Sequence, residues 1–465
     1  MSRPRVSRTV AGTPARSSTA LKASIARVRH HDELAELVSI PSVSADPARK
    51  DDVGRAADWL AEFVRGAGGS AEVVPTDTQP LIIGDLPASN GGGPTVMVYG
   101  HVDVQPADPL DLWDSDPFTL EERDGWLFGR GVVDDKGQLY LLLKGAAELA
   151  AAGELPVNVR VCCDAEEESG GDQIVNFLAA DERGADAAII WDAGMTTRGV
   201  PEFSVATRGL VYFHLVMRTG ARDLHSGLYG GAALNALHAL IATLSSVLAR
   251  DGVLPEALRA GIAPPTDEER AAWGELVPGP QLLEEAGASS GYTAAGEEFY
   301  LRTTAEPALD VHGIAGGSPV LQKTVLPVAA EANLSIRLAP GQDVDEIAAA
   351  LEALLRDAAP EGAELEVTRT ASAPPGLVPP DAPAVQLGQD AFEKTFGRRP
   401  LLVRSGGSLP IVPALVDKGI PTIITGFALP ESNIHSPNER LLAEYVPLGL
   451  ETARELFRSL AALSG

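Results

Sequence analysis

Five short polar clusters in this sequence combine His, Asp and Glu, the side chains that bind divalent metal ions and transfer protons. Most of them directly follow an apolar segment that is predicted to be a buried strand. The clusters are G-H-V-D (100–103), G-R-G-V-V-D-D-K-G (129–137), D-A-E-E-E-S-G-G (164–171), W-D-A-G (191–194) and N-I-H-S-P-N-E (433–439). Because ligands of open α/β sheets lie at the carboxyl ends of strands, these clusters are candidates for one shared site.

Each cluster alone also has a simpler explanation. The two Asp residues at 134 and 135 could cap the long helix that follows them, and the three glutamates at 166–168 could form a solvated charged surface. A His two residues before an Asp, as in His101 and Asp103, is a weak signal by itself. The glutamate run is harder to dismiss, because it follows a buried strand and a cation would relieve the repulsion between its carboxylates.

Taken together, the clusters offer two His and several carboxylates but no Cys. Such a mixed ligand set suits Zn²⁺ or Mn²⁺, and it is larger than a single tetrahedral site requires. Two metal ions are therefore expected, and two adjacent ions acidify a shared water and polarise a carbonyl group. The only cysteines, Cys162 and Cys163, are neighbours, so they are suited neither to a disulfide with each other nor to a C-x-x-C metal site.

Composition excludes several classes of protein. The 37 basic and 64 acidic side chains give a formal charge of −27, which argues against nucleic acid as a partner. Hydrophobic residues make up 45% and charged residues 22%, an ordinary globular balance. No apolar run reaches the roughly 18 residues of a transmembrane helix, so no membrane contact is expected. The two cysteines favour a reducing compartment, and we predict a cytoplasmic protein.

The elements that must position the clusters alternate between strand and helix. Apolar runs predict strands at 71–74, 81–86, 95–99, 157–163 and 187–191, with helices at 136–152 and 172–181 between them. The same alternation returns near the end of the chain, with helices at 384–396, 409–418 and 443–463 and strands at 401–404 and 421–425. This pattern predicts an α/β fold, a mixed sheet with helices on both faces.

The middle of the chain has a different pattern. A strand at 210–218, a helix at 232–249, strands at 308–312 and 325–338, a helix at 344–357 and a strand at 363–370 give the order βαββαβ, which is ferredoxin-like. We therefore predict a discontinuous domain of residues 26–205 and 375–465, interrupted by an inserted α+β domain of residues 206–374. Residues 1–25 are predicted to be a disordered basic tail, a transit-like segment being the alternative.

Seven motifs, in order along the chain, resemble the M20 metallopeptidase family, and within it the carnosinase-like, cytosolic non-specific dipeptidases. They are G-H-V-D-V-Q-P-A, W-D-S-D-P-F, G-R-G-V-V-D-D-K-G, E-E-E-S-G, D-L-H-S-G-L-Y-G-G, S-I-R-L-A-P and I-H-S-P-N-E. The resemblance extends from about residue 31 to the C-terminus. It implies that the discontinuous domain is a di-metal catalytic domain and that the inserted domain is a lid and a dimer interface, so that the protein is a homodimer.

The resemblance also implies a ligand set for two divalent ions, with Zn²⁺ expected and Mn²⁺ as the alternative. By this resemblance, His101 and Asp192 hold one ion, Glu168 and His435 hold the other, and Asp134 bridges the two. The charges agree with this assignment: two ions contribute +4, the three carboxylates contribute −3, and a bridging hydroxide completes the balance.

Two further roles and one backbone feature follow from the resemblance at the metal centre. Glu167 would be the general base, taking a proton from the water and passing it to the leaving nitrogen. Asp103 would orient the ring of His101. A cis peptide bond is expected between Asp134 and Asp135.

Substrate recognition is also assigned by the resemblance. His225 matches a histidine that reaches the active site of the partner subunit and stabilises the oxyanion. Arg337 matches a residue that binds the substrate carboxylate, for which a guanidinium fork is suited. Thr324, Gly407 and Ser408 match further carboxylate contacts.

The function predicted on these grounds is hydrolysis of dipeptides or short peptides that have a free C-terminal carboxylate. The first alternative is an N-acyl-amino-acid deacylase that uses the same site, and the second is a non-catalytic binding protein. One departure from the family pattern lies beside the site. Ser405 stands where many relatives have Glu, which changes the local charge but not the metal ligands.

Overall fold

The computed structural model describes residues 30–463. The predicted tail of residues 1–25 lies outside the described residues. Within the described part, no helix combines the length and apolar character that crossing a membrane requires.

Strands follow the apolar runs closely, and most bounds lie within a residue or two of the predicted ones. In the first half of the chain they are β1 (Ser70–Val74), β2 (Leu81–Leu86), β3 (Thr95–Tyr99), β4 (Glu121–Arg123), β5 (Trp126–Phe128), β6 (Asn158–Cys163), β7 (Ala187–Trp191), β8 (Glu202–Thr207), β9 (Gly209–Arg218) and β10 (Leu224–His225). In the second half they are β11 (Ala308–Ala315), β12 (Val325–Leu326), β13 (Ala329–Leu338), β14 (Glu364–Ala373), β15 (Gly376–Leu377), β16 (Leu401–Arg404), β17 (Thr422–Thr425) and β18 (Arg440–Leu442).

Helices occupy the polar-apolar periodic segments between these strands. They are α1 (30–38), α2 (Lys50–Gly66), α3 (Lys136–Ala151), α4 (Gln173–Ala180), α5 (Ser226–Tyr229), α6 (Ala236–Ser245), α7 (Asp267–Trp273), α8 (Gly279–Glu285), α9 (Val344–Ala358), α10 (Pro383–Phe396), α11 (Ile411–Asp417) and α12 (Tyr445–Leu460).

A six-stranded mixed sheet forms the centre of the larger core, in the order β1-β2-β6-β3-β7-β17. The pairs β1–β2 and β2–β6 are antiparallel, whereas β6, β3, β7 and β17 run parallel. Cys162 and Cys163 are neighbours in β6, so their side chains point to opposite faces of the sheet, and both are completely buried. Both faces of the sheet are therefore covered. The predicted mixed sheet with helices on both faces is confirmed.

A second sheet has the order β11-β13-β9-β14, and all of its neighbouring strands are antiparallel. Helices α6 and α9 pack on it and on each other. This is the strand order of a ferredoxin-like βαββαβ unit, as predicted. Its hydrophobic core, from Val211 to Leu355, is separate from the core of the first sheet, which includes Val205 and Val378. The exact domain limits stay a prediction.

Several details differ from the expected elements. The predicted strand over 325–338 is broken between Leu326 and Ala329, where Pro327 cannot donate a backbone hydrogen bond. Its first part, β12, leaves the sheet and pairs with β10, so that His225 lies opposite Val325. Six short strands were not predicted: β4, β5, β8, β10, β15 and β18. Strand β8 pairs with β15 and β16 in a small separate sheet, and β5 pairs with β4 and β18 in another.

Candidate metal centre

The carboxyl ends of three parallel neighbours, β3, β6 and β7, bring most of the predicted metal ligands to one edge of the central sheet. His101 follows β3, Glu168 follows β6 and Asp192 follows β7. Asp134 lies in the loop before α3, and His435 lies in the loop before β18. His435 is far in sequence from the other four, so the tertiary fold is needed to bring all five together.

Asp134 lies between two imidazole rings. Its Oδ1 is 3.2 Å from Nε2 of His101, and its Oδ2 is 2.9 Å from Nε2 of His435. The same nitrogen of His435 is 3.1 Å from Oε2 of Glu168, and Nε2 of His101 is 3.9 Å from Oδ1 of Asp192. One carboxylate that faces a separate His with each oxygen has the arrangement expected of a ligand shared by two ions.

The donor atoms fit divalent metal ions. His101, Asp134 and Glu168 each offer one ligand atom, and these atoms lie within 4.8 Å of one another. Nδ1 of His101 is 3.1 Å from the carbonyl oxygen of Asp103 and 3.4 Å from its Oδ1. Acceptors on that side hold one ring proton on Nδ1, so Nε2 is the nitrogen that faces Asp134 and would bind a metal after losing its own proton.

Hydrogen bonds between the imidazole rings and the carboxylates stabilise this arrangement. Burial opposes the charged form of His101, but hydrogen bonds to Asp103, Asp134 and Asp192 raise its pKa well above the usual value. Hydrogen bonds to Asp134 and Glu168 raise the pKa of His435 to about 10. Although burial opposes it, the two imidazoles hold the pKa of the Asp134 carboxyl well below its usual range.

Two other carboxyl groups at the site have pKa values that are raised instead of lowered. Burial, followed by the charges of Asp192 and Glu168, raises the pKa of Glu167 to about 8, with His101 opposing the change. Burial also raises the pKa of Asp192 to about 6. Carboxyl groups gathered in this way repel one another, and a bound cation relieves that repulsion.

Glu439 is a site residue to which the sequence assigned no role. It is completely buried, and its Oε2 accepts hydrogen bonds from Nη1 of Arg130 at 2.7 Å and from the backbone N–H of Gly131 at 3.0 Å. Its Oε1 accepts from the backbone N–H groups of Val133 at 3.0 Å and Asp134 at 3.2 Å. Glu439 thus joins the loop that carries His435 to the loop that carries Asp134. The only sequence signal was its place at the end of the I-H-S-P-N-E motif.

The loop from residue 131 to residue 137 turns back tightly before α3 begins. A Cβ at Gly137 would lie 1.8 Å from the carbonyl oxygen of Val132, so a side chain cannot be accommodated there. The peptide bond between Asp134 and Asp135 is cis, as the resemblance implied.

A cavity of about 240 Å³ opens onto these residues. This volume is below the roughly 300–1,000 Å³ of pockets for drug-sized ligands, which indicates a small ligand. Its lining includes Asp134, Glu167, Asp192, His435, Ser405, Gly407 and Ser408. Nη1 of Arg337 donates a 3.0 Å hydrogen bond to Oγ of Ser408. Of the four predicted substrate-binding residues, Gly407 and Ser408 therefore line the cavity, and Arg337 lies directly behind Ser408.

His225 and Thr324 are not among the residues that line this cavity. They lie together on the inserted unit, where the backbone N–H of Ser226 donates to the carbonyl oxygen of Thr324 at 3.0 Å. His225 is exposed, and its Nδ1 accepts a 3.0 Å hydrogen bond from the backbone N–H of Gly227. A single chain therefore does not bring these two residues to the cavity.

A larger cavity of about 790 Å³ lies elsewhere, between α1, β5 and α12. Its lining includes His31, Trp126 and Arg454 but none of the predicted site residues. The position of the His and carboxylate side chains, and not the cavity volume, identifies the candidate site.

Comparison with known sequences gives a consistent picture. Residues 97–459 match the profile of the peptidase family M20/M25/M40. A cysteinylglycine-S-conjugate dipeptidase of Corynebacterium striatum is 31% identical, over 89% of this chain and 91% of the relative. The Beta-Ala-His dipeptidase of Homo sapiens is 28% identical, over 89% of this chain and 87% of the relative.

Solved structures resemble the whole described fold. An M20 family metallo-carboxypeptidase from Sulfolobus solfataricus superimposes with a TM-score of 0.80 at 25% identity, covering 93% of this chain and 99% of that chain. A dipeptidase from Saccharomyces cerevisiae gives a TM-score of 0.74 at 25% identity, covering 95% of this chain and 97% of that chain.

Proposed function

Because this chain belongs to the peptidase family M20/M25/M40 and is a metallopeptidase of its carnosinase-like dipeptidase branch, we propose that it hydrolyses dipeptides or short peptides with a free C-terminal carboxylate. The observation that carries this proposal is the position of Asp134, whose two carboxylate oxygens face His101 and His435 separately. Two sequence relatives named above are dipeptidases, which supports a small peptide as the substrate.

In this proposal five residues hold two divalent ions. His101 and Asp192 would hold one ion, Glu168 and His435 would hold the other, and Asp134 would be shared between them. Imidazole and carboxylate ligands suit Zn²⁺, which we expect, and Mn²⁺, which is the alternative. When bound, such ions polarise the scissile carbonyl group and acidify water.

Glu167 is the proposed general base. Its carboxyl lines the cavity and is directly adjacent in sequence to Glu168, so it lies within the same polar wall as the metal ligands. The carboxylate would accept a proton from the attacking water and return it to the amide nitrogen that leaves. Asp103, completely buried next to His101, keeps that ring oriented, and its Oδ2 also accepts a 3.1 Å hydrogen bond from the backbone N–H of Glu168.

The substrate carboxylate is assigned to the wall formed by Gly407 and Ser408, with Arg337 behind it. The guanidinium of Arg337 is only part-buried and contacts Oγ of Ser408, so it can bind a carboxylate that enters from the cavity. Thr324 belongs to the same proposed set of carboxylate contacts, although it lies outside the cavity of a single chain.

A homodimer through the inserted unit would explain the exposed position of His225. Large apolar side chains close in sequence to His225, or to Val325 that pairs with it, are exposed: Leu228 is 77% exposed, Leu321 is 61% exposed and Val320 is 88% exposed. Contiguous exposed apolar side chains mark interaction surfaces. In this proposal the surface is covered by a second copy, and His225 and Thr324 complete the site of the partner subunit.

A cytoplasmic location is also proposed. Cys162 and Cys163 are both free thiols in the buried part of β6, which suits a reducing compartment.

Hydrolysis of a small panel of substrates tests the function. Free dipeptides and their N-acetylated counterparts are given to metal-stripped protein that has been resupplied with Zn²⁺ or Mn²⁺. We expect metal-dependent cleavage of the free dipeptides, and a loss of about 10²–10⁴-fold in Glu167→Gln with the metal content unchanged. Glu361→Gln, at an exposed position away from the site, is the matched control.

Other outcomes identify the alternatives. Cleavage of the acetylated panel alone would leave the same mechanism but make the protein an N-acyl-amino-acid deacylase. Binding of two metal ions without cleavage of either panel would contradict both the dipeptidase and the deacylase and would favour a non-catalytic binding protein.

A further inference from the structure

Two arginines hold the turn Gly406–Ser408, which forms one wall of the cavity. Arg208 does so twice, because its Nε donates to the carbonyl oxygen of Gly406 at 2.9 Å and its backbone N–H donates to that of Gly407 at 3.0 Å. Arg337 holds the other end of the turn through Oγ of Ser408 at 3.0 Å. The cavity wall therefore has two cations directly behind it.

The register of the second sheet brings these two arginines close together. Gly209, which follows Arg208, pairs with Leu338, which follows Arg337. The proximity is also electrostatic: burial, and then the positive charge of Arg337, lower the pKa of Arg208 to about 10, while Asp310 opposes that change.

Neither arginine has a carboxylate partner within the part of the chain that the structure describes. The remaining side-chain hydrogen bond of Arg208 runs from Nη1 to the carbonyl oxygen of Arg302 at 3.4 Å, and its Nη2 donates to no described residue. Two more deeply buried arginines do have one: Arg130 pairs with Glu439, and Arg404 pairs with Glu269. A desolvated cation without a counter-ion is costly, so an anion is expected to complete this pair.

One carboxylate is not enough to balance two guanidinium groups. The function proposed above assigns the α-carboxylate of the substrate to Arg337 and leaves Arg208 without a partner. A C-terminal Asp or Glu carries a second carboxylate on the same residue, a few bonds from the first. It would supply the missing charge without any further group from the protein.

We propose that Arg208 is a specificity-determining residue, and that Arg208 and Arg337 together select dipeptides whose C-terminal residue is Asp or Glu. The α-carboxylate binds at Arg337 and the side-chain carboxylate binds at Arg208. This inference rests on the proposed function, because it extends the assignment of Arg337.

The competing role for Arg208 is that it only holds the turn in place. Its bonds to Gly406 and Gly407 would then matter equally for every substrate. Two substrates of nearly the same shape but different charge separate these roles, since a structural effect changes both rates together.

Hydrolysis of Ala-Glu and Ala-Gln by the metal-loaded protein provides that comparison. We expect kcat/KM to be about tenfold or more higher for Ala-Glu, since a hydrogen-bonded ion pair is stronger than a neutral hydrogen bond. In Arg208→Gln this preference should disappear, with a smaller loss for Ala-Gln than for Ala-Glu. Arg356→Gln, which removes an exposed helical ion pair with Glu352, is the matched control and should keep the preference.

Equal kcat/KM values for the two substrates in the wild-type protein would overturn the proposal. So would an equal loss for both substrates in Arg208→Gln, which would show that Arg208 only supports the turn.

A binding measurement separates this proposal from the proposed function. Titration calorimetry compares free glutamate with free glutamine, which represent the C-terminal halves of the two substrates. We expect tighter binding of glutamate by wild-type protein and equal binding by Arg208→Gln. If no dipeptide is cleaved but glutamate is preferred, the peptidase proposal fails while the pair of cations is supported. If neither amino acid is preferred, the pair is not a carboxylate site.

Discussion

At the scale of single residues, Asp134 and the two imidazoles that face it determine what the site can do. The distances of 3.2 Å and 2.9 Å from its two oxygens to His101 and His435 show hydrogen-bonded contacts in the protein alone. A metal ion and a proton therefore compete for the same lone pairs. Competition of this kind makes metal affinity depend on pH.

Metal binding is predicted to release protons. The pKa of His435 is raised to about 10 by Asp134 and Glu168, so this imidazole is protonated at pH 8 and must lose its proton to bind a metal. Below that pKa, the affinity for the metal therefore rises with pH, by up to about tenfold per pH unit for each proton released. Calorimetry with Zn²⁺ at pH 8, in two buffers of different ionisation enthalpy, should show at least one proton released.

Two variants test the origin of these protons. His435→Asn should release about one proton fewer and bind one metal ion more weakly. His238→Asn changes an exposed histidine on α6 and should behave like the wild-type protein. Proton release that is absent in the wild-type protein would contradict the raised pKa of His435.

At the scale of elements, the candidate site depends on how two loops are joined. The loop before α3 carries Asp134, and the loop before β18 carries His435. Glu439 connects them through Arg130 and three backbone N–H groups, and both charged side chains are almost inaccessible to water. Removing one partner of such a buried pair leaves the other charge uncompensated.

Glu439→Gln is therefore predicted to weaken both the fold and the metal centre. Stability should fall by about 3 kcal/mol because the guanidinium of Arg130 loses its counter-ion. Zn²⁺ affinity should also fall, because the loops that carry Asp134 and His435 are no longer held in their relative positions. Urea unfolding of the metal-free protein, together with Zn²⁺ titration, measures both effects.

The double variant Arg130→Met/Glu439→Gln serves as the control. It should recover part of the lost stability because the unpaired charge is gone, but it should not recover metal affinity. Unchanged unfolding and unchanged Zn²⁺ binding in Glu439→Gln would contradict a role of Glu439 in joining the two loops.

At the scale of the whole molecule, the position of His225 outside the cavity is the main observation. The residue lies on an exposed, apolar part of the inserted unit, whereas Glu167 lies in the cavity. If each site combines Glu167 of one chain with His225 of the other, two inactive variants can complement each other. Closed twofold symmetry makes such an exchange reciprocal.

Co-expression of His225→Ala with Glu167→Gln tests this arrangement. Each variant alone should be nearly inactive, but a mixed dimer contains one site with both wild-type residues. Random mixing should restore about one quarter of the wild-type activity, since half of the dimers are mixed and each has one intact site. Mixed preparations that stay inactive, or a monomer with full activity, would contradict the role of His225 across the interface.

Local sequence patterns predicted most of the elements and most residues of the candidate site. Strands β3, β6 and β7 are short apolar runs, and His101, Glu168 and Asp192 follow them within a few residues. Local periodicity predicts such strands, and parallel pairing then places their ends together. The family motifs supplied the remaining ligands, so the composition of the candidate centre was available before the fold.

The connections between these residues come from the packing of segments that are distant in sequence. The pairing of Arg130 with Glu439 and the proximity of Arg208 and Arg337 join residues more than a hundred positions apart, and no local pattern encodes them. The structure also separated His225 from the cavity and broke the predicted long strand at Pro327. Such contacts depend on the register of strands and on which side chains lose their water on folding. Those are properties of the packed molecule and not of any single segment.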